Sequence, residues 1–466
     1  MKYALYFLSI LLCACNPASK KTVDNSSDQN GEVRLITLAP GHFHAALVQK
    51  EALDGVDSTV YVYAPDGPEL DSHLKLIQSY NSREEKPTHW NEVVYRGNDF
   101  LQKMLQERQT EKSHNVVVLA GNNRDKTDYI LQAVSSGFNV LSDKPMAIDK
   151  ASFEKLEKAF GVAAQNNVVL YDIMTERYDV WSEIQRLLMQ NPELFGELVD
   201  DGTEKEPAVS VSSIHHFYKV VSGKPLIRPV WYYDVEQQGE GIVDVTTHLV
   251  DLIHWKCFPE QIVDYKKDIQ LLSAKHWATP LSKQQFTMST GLTEYPDFLG
   301  KYVSDSVLNV YSNGSFQYMA KGKLIDLSVI WNFEAPKGAG DIHKCIIRGT
   351  KGTISILQGE EQGFVPKLYI ERDKKINKTT YRQMLDQAIA DLQTEYPGVA
   401  LKEEGNRWEI VVPVELQSGH EKHFSSVIRK YLGYLNQGNM PVWEIPNMLT
   451  KYYLTTTALS MAGDSK

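Results

Sequence analysis

At 466 residues, with 42% hydrophobic and 23% charged side chains, the chain has the make-up of an ordinary folded protein and length enough for two or three domains. Its formal net charge is -10 and its basic clusters are no longer than pairs such as Lys20-Lys21, Lys266-Lys267 and Lys374-Lys375, so no nucleic acid is expected as a partner. Neutral small molecules suit such a surface better.

At the N-terminus, Met1-Lys2, an apolar run from Tyr3 to Leu12 and then Leu12-Cys13-Ala14-Cys15 read as a signal peptide over residues 1–15. The apolar run is too short to span a bilayer. Leu12-Cys13-Ala14-Cys15 is similar to a bacterial lipobox, which makes Cys15 the expected lipidated residue, a plain secretory signal being the alternative. Residues 16–32, rich in Ser, Lys, Asp and Asn, are expected to be a flexible tether. Beyond the anchor only Cys257 and Cys345 remain, so no disulfide framework is indicated.

From Val33, short β-branched runs alternate with helical stretches, the βαβ pattern of a parallel sheet. Strands are predicted at Val33–Leu38, Thr59–Tyr63, Asn91–Tyr95, Asn115–Ala120, Asn139–Ser142 and Val168–Asp172. Helices are predicted near His42–Ala52, Asp99–Gln106, Lys126–Ser136 and Lys150–Gln165. Residues 33–175 therefore read as a doubly wound, Rossmann-type dinucleotide-binding domain. Residues 176–466 read as an α+β substrate domain with a large, mostly antiparallel sheet, giving an α/β protein overall. Its strands are expected at Asp305–Val310, Phe316–Lys321, Asp326–Phe333, His343–Gly349 and Thr353–Gln358, with Asn313-Gly314 as a turn. Two amphipathic helices split by Gly438 to Pro441 fill Glu421 to Ala462.

A dinucleotide needs a turn after the first strand that lets backbone approach the pyrophosphate. Here that turn is Ala39-Pro40-Gly41-His42-Phe43-His44, with Gly41 alone of the usual three glycines. The His42 and His44 pair also invites a metal-hydrolase reading. Later strand ends offer Asn122, Asn123, Asp143 and Lys144 rather than a ligand set, so no metal is expected. Asp66, just past the second strand, is the candidate for the adenosine ribose, which leaves NAD against NADP open.

Ser136-Gly137-Phe138-Asn139-Val140-Leu141-Ser142-Asp143-Lys144-Pro145 resembles the aGxxVlxEKP stretch of the glucose-fructose oxidoreductase, inositol dehydrogenase and rhizopine-catabolism (Gfo/Idh/MocA) family, with Asp143 for the usual Glu. Leu119-Ala120-Gly121-Asn122-Asn123 sits where that family places a cofactor loop, with Lys126 where a His is common. Far downstream, Gly239-Glu240-Gly241-Ile242-Val243-Asp244-Val245-Thr246-Thr247-His248 resembles its GGG-x-x-x-D-x-x-x-H, with Gln238-Gly239-Glu240 standing against the glycine triplet. In layout the chain is similar to exported Bacteroidetes-type members with a distinct C-terminal region.

The resemblance implies an NAD(P)-dependent oxidoreductase acting on CH-OH groups of a sugar, glycoside or polyol. NAD or NADP would be tightly bound, touching Pro40, Gly41, His42, Phe43, His44, Asp66, Gly121, Asn122, Asn123, Asp143, Lys144 and Pro145. It implies Lys144 beside nicotinamide and substrate, Asp244 as a positioning group and His248 as general acid/base. The four-residue spacing of Asp244 and His248 independently places both on one helical face. Arg177, His216, Lys219, Arg228 and Trp231 are candidate substrate contacts, the alternative being an ion pair of Arg177 with Glu176 or a domain-interface carboxylate and a structural role for Lys219, Arg228 and Trp231. Two other readings stay open: a redox-assisted glycosidase or lyase on the same scaffold, and a non-catalytic glycan-binding lipoprotein. The expected location is the periplasmic face of a bacterial membrane, the outer one, through the Cys15 anchor. The C-terminal sheet is the candidate surface for a homo-oligomer.

Overall fold

A computed structural model describes residues 33–111, 114–200, 202–221 and 224–464. The expected signal peptide, lipidated Cys15 and tether lie outside these residues.

Six strands form the first sheet: β1 (Arg34–Leu38), β2 (Thr59–Ala64), β3 (Asn91–Arg96), β4 (Asn115–Leu119), β5 (Asn139–Asp143) and β6 (Leu170–Ile173). They pair in parallel in the order β3-β2-β1-β4-β5-β6. The central strands are covered on both faces, which is why Asn115–Leu119 is a continuous buried run rather than an alternating one. Crossovers are made by α1 (His44–Leu47), α2 (Pro68–Ser82), α3 (Phe100–Arg108), α4 (Lys126–Ser135) and α5 (Lys150–Gln165). Asp149 and Ser152 close a capping box that starts α5, with Ser152 N donating to Asp149 Oδ1 at 2.7 Å. Strand order reverses between β1 and β4, so their C-terminal ends form the crevice where such sheets bind ligands.

Two helices differ from expectation. The one predicted over His42–Ala52 is a single turn, because Leu53 and Val56 fold back and Val56 pairs with Val33. α2 was not predicted, since only Leu70, His73 and Ile77 of its length are buried and the apolar stripe is faint. Its start signals are nevertheless present: Pro68 in the first turn, with Glu69 and Asp71 beside it.

After α6 (Val180–Met189) come β7 (Val209–His216), the small hairpin β8 (Val220–Val221) and β9 (Lys224–Pro225), α7 (Val235–Gln238) and α8 (Thr246–Cys257). Then follow β10 (Ile269–Ser282), α9 (Lys283–Thr290), β11 (Val303–Ser304), β12 (Val307–Ala320) and β13 (Lys323–Asn332). The sheet is completed by β14 (Ile342–Arg348), β15 (Gly352–Gln358), β16 (Lys367–Arg372), α10 (Lys378–Leu392), β17 (Ala400–Glu404) and β18 (Arg407–Val411). The order is β10-β12-β13-β7-β14-β15-β16-β18-β17, with β11 on β12. All neighbours are antiparallel except β13 and β7. Leu327, Ile347 and Ile354 on one face pack against Ile184, Leu188, Val250, Ile253, Leu385 and Ile389 of the helices.

Asn313-Gly314 is not the expected turn. It lies inside the continuous strand β12, where Asn313 Nδ2 donates to the Trp277 carbonyl and Gly314 gives room to Ile242. The reversal occurs instead between β11 and β12, at Asp305 and Ser306, both at positive φ.

The two C-terminal helices, α11 (His420–Gln437) and α12 (Glu444–Asp464), are separated where Gly438 takes a left-handed conformation. Phe424, Val427, Tyr431, Met448 and Tyr452 complete the core of the first sheet, while Leu454, Ala458 and Ala462 enter the core of the second. Between them α12 carries charge into the interior. Lys451 Nζ reaches Asp172 Oδ2 at 2.6 Å and Asp251 Oδ1 at 2.9 Å, and Glu444 takes Arg177 at 3.0 Å. No helix among the described residues is long and apolar enough to cross a membrane.

Candidate functional site

Two glycines let the site form. A side chain on Gly121 would stand 2.5 Å from the Ala39 carbonyl and 2.8 Å from the Gly41 amide, so the turns after β1 and β4 meet backbone to backbone. Gly41 N and His42 N both donate to the Ala120 carbonyl, at 3.1 and 3.2 Å, which locks that meeting. Gly241 lies flat on β12, where any Cβ would collide with the Ser312 carbonyl. The turn that carries Asp244 is thereby pressed onto the second sheet just ahead of α8.

Asp143 ends β5 buried, and Lys144 follows on a cis peptide bond to Pro145. Lys144 Nζ donates to Asp244 Oδ1 at 2.6 Å, and Gln238 Nε2 donates to Asp244 Oδ2 at 3.0 Å, so both carboxylate oxygens are engaged. Burial lowers the Lys144 pKa, but Asp244 and Asp143 outweigh it and leave the ammonium above its ordinary value. His248 lies in the first turn of α8 with Nδ1 buried and without a hydrogen-bond partner. Burial, then the nearby Lys144 and His420, hold it well below its ordinary value and therefore neutral. Glu176 is a further carboxyl in this field, pushed up to about 7 by burial and by Asp179.

The remaining sequence-predicted residues fall into distinct places. Pro40 is buried in the β1 turn and Phe43 is exposed beside it. His44 Nδ1 lies 2.9 Å and His42 Nδ1 3.8 Å from Asp143 Oδ2, so three ligand-type side chains gather where no metal was expected. Asn122 Nδ2 donates to Gln237 Oε1 at 2.6 Å and Asn123 Nδ2 to the Gln238 carbonyl at 2.7 Å, tying the β4 loop to α7. Asp66 is exposed at the end of β2, paired with Arg96 at 2.5 Å. Trp231 is buried against Gly41, its ring 3.6 Å from where a Cβ would stand.

His216 and Lys219 both bind Asp341, His216 Nδ1 at 2.9 Å. Arg228 donates to the Phe217 and His216 carbonyls and stacks over Tyr232 and Trp331. Arg177 holds Asp251 through two bonds of 2.6 and 2.7 Å and also Glu444, spending its guanidinium in the interior. Sequence reasoning missed Gln238, Glu176 and His420. Of these, His420 comes from α11 and has no local signal, because its ring meets that of His44 only through the packing of that helix.

Three comparisons bear on this arrangement. The family model "putative oxidoreductase C terminal domain" matches residues 184–463. A protein described as a putative oxidoreductase from Parabacteroides merdae is 50% identical, covering 94% of this chain and 98% of its own, with a TM-score of 0.90. The fold extends to KijD10, a 3-ketoreductase from Actinomadura kijaniata in complex with NADP and TDP-benzene, at 13% identity, TM-score 0.55 and coverage of 92% and 97%. It extends also to a putative myo-inositol dehydrogenase from Sinorhizobium meliloti, at 13% identity, TM-score 0.53 and coverage of 93% and 98%. Among curated proteins, none matches.

Proposed function

Since the chain belongs to the oxidoreductase C-terminal domain family and has the fold of Gfo/Idh/MocA-type oxidoreductases, we propose that it is a nicotinamide-dependent enzyme oxidising a hydroxyl, or reducing the matching carbonyl, of a sugar, glycoside or polyol. The observation that carries this reading is the Lys144 to Asp244 pair at 2.6 Å beside the neutral His248. The residues present fit a dinucleotide. The crevice lies at the strand-order reversal, Gly41 and Gly121 let the turns after β1 and β4 meet there backbone to backbone, and the buried Nδ1 of His248 awaits a partner. The Ala39 to His44 turn, Gly121 to Asn123 and Asp143 to Pro145 would hold the cofactor, which when bound exchanges hydride with the substrate carbon.

The chain's own residues supply the proton and charge chemistry. His248, neutral near pH 7, accepts the hydroxyl proton and returns it in the reverse direction. Lys144, kept cationic by Asp244, donates a hydrogen bond to the same oxygen as it gains negative charge. Asp244 is a positioning residue for Lys144, itself held by Gln238. A Cys15 lipid anchor would place this chemistry on the periplasmic side of a bacterial membrane.

The test is reduction of NAD and NADP by a panel of sugars and glycosides, followed by nicotinamide absorbance. His248→Ala should lower turnover by ~100-fold or more while cofactor affinity stays near wild type. Equal rates in both proteins remove His248 from the mechanism. Glycan binding with no cofactor reduction by any sugar would instead support a binding lipoprotein.

A further inference from the structure

The mechanism makes no use of the imidazoles of His42 and His44. The fold nevertheless brings both onto one buried carboxylate, from positions about 100 residues apart in sequence, and one ligand-type atom from each of His42, His44 and Asp143 lies within 4.8 Å of the other two. Ligands about 2.0–2.2 Å from a tetrahedral zinc ion stand roughly 3.3 Å apart, between the 2.9 and 3.8 Å separations seen here.

An ordinary histidine to aspartate hydrogen bond accounts for His44 alone. It does not account for His42, whose buried Nδ1 has no hydrogen-bond partner although its ring stands edge-on to that of His44 at 4.0 Å. A buried, unsatisfied nitrogen carries a desolvation cost of about 1–3 kcal/mol that a ligand would remove. Lys126, whose charge acts on the Asp143 carboxylate, spends Nζ on Asn123 Oδ1 and on the Asp143 and Pro145 carbonyls.

We infer that His42, His44 and Asp143 bind a divalent transition-metal ion of the zinc class, through two imidazoles and one carboxylate, with a fourth position open to water or a substrate oxygen. The site uses side chains, whereas the dinucleotide reading uses the backbone of the same turn, so either can fail without the other. Two imidazoles with one oxygen favour borderline ions over Mg2+ or Ca2+, which take all-oxygen sets.

The test uses the purified full chain, stripped with chelator and titrated with Co2+ and then Zn2+. The expected result is uptake of one Co2+ per chain with visible absorption bands, displaced by Zn2+, and X-ray absorption showing two imidazoles on the metal. His42→Ala should weaken Co2+ binding by ~100-fold or more, at or beyond the upper end of what losing a supporting residue costs. Asp143→Asn, which keeps volume, should do the same, with folding checked by circular dichroism. Should neither variant fold, the wild-type absorption spectrum decides, because a site with fewer than two imidazoles overturns the assignment. Folded wild type that takes up no Co2+, or uptake unchanged in a folded His42→Ala variant, also overturns it. Each of these outcomes leaves nicotinamide reduction by sugars a separate measurement.

Discussion

Replacing Asp244 by Asn keeps the shape of the site and removes one charge, which makes its effect calculable. Lys144 and Asp244 meet at 2.6 Å with side chains only 15% and 7% exposed, so the pair is screened little by water. Removing one partner of a buried pair costs about 3–5 kcal/mol, because the remaining charge is left buried and unpaired, and the variant therefore lowers the Lys144 pKa. The sign follows from the wild type, where Asp244 and Asp143 together outweigh burial and raise Lys144. The wild-type pair therefore stabilises the fold below the ordinary lysine range, and that contribution disappears as pH rises through the raised value. In Asp244→Asn burial is opposed by Asp143 and, more weakly, by Glu176. The alkaline limb of the kcat/KM profile should then move down toward neutrality, because only the ammonium form polarises the substrate oxygen. The assay is a pH series of sugar-dependent nicotinamide reduction in both proteins. A folded variant whose alkaline limb stays within about half a unit of wild type would refute the reasoning.

Lys451→Met should destabilise the protein by ~3–5 kcal/mol in urea unfolding, since Asp172 and Asp251 then lose a cation inside the core; a loss under about 1 kcal/mol would remove the network from the stability argument. Glu176 binds its proton more tightly in the folded state, so by itself it gives stability a downward slope worth roughly 2–3 kcal/mol between pH 4.5 and 7, set against the upward slope from buried histidines such as His248 and His254. Glu176→Gln should remove the downward part, as denaturation at pH 5 and pH 8 will read. Fatty-acid labelling of cells should mark the wild type and not Cys15→Ala, and an unlabelled wild type would discard the anchor.

What the sequence made legible follows from how local each signal is. The parallel strands were readable because both faces are covered, leaving unbroken runs such as Val116 to Leu119. The long edge strand β10 was not readable, since half its residues face solvent and its bulges break the alternation. Asn313-Gly314 has the residues of a hairpin turn, yet tertiary demands decided it: Gly314 leaves space for Ile242, and Asn313 ties neighbouring strands. At the site, Lys144, Asp244 and His248 could be named from spacing and resemblance. The gathering of His42 and His44 on Asp143 could not, because nothing near residue 42 in sequence says what β5 will place beside it. Arg177 follows a strand end, where ligands often bind, so its sequence position leaves a substrate contact and an interior ion pair both open. Its partners, Asp251 and Glu444, come from α8 and α12, and only the packed structure supplies them.

The placement of α11 and α12 has a consequence for how the polypeptide is made. Synthesis runs from the N-terminus, so all six strands of the first sheet emerge before Phe424, Tyr431 and Tyr452, the residues that seal its core. Until α11 and α12 have been made, the nascent chain carries an uncapped apolar surface, the kind of surface that draws chaperones and aggregates when left waiting. An N-terminal fragment cut at the end of β6 would carry the same uncapped surface permanently. The half built on the six-stranded sheet is therefore completed only once α11 and α12 have been made.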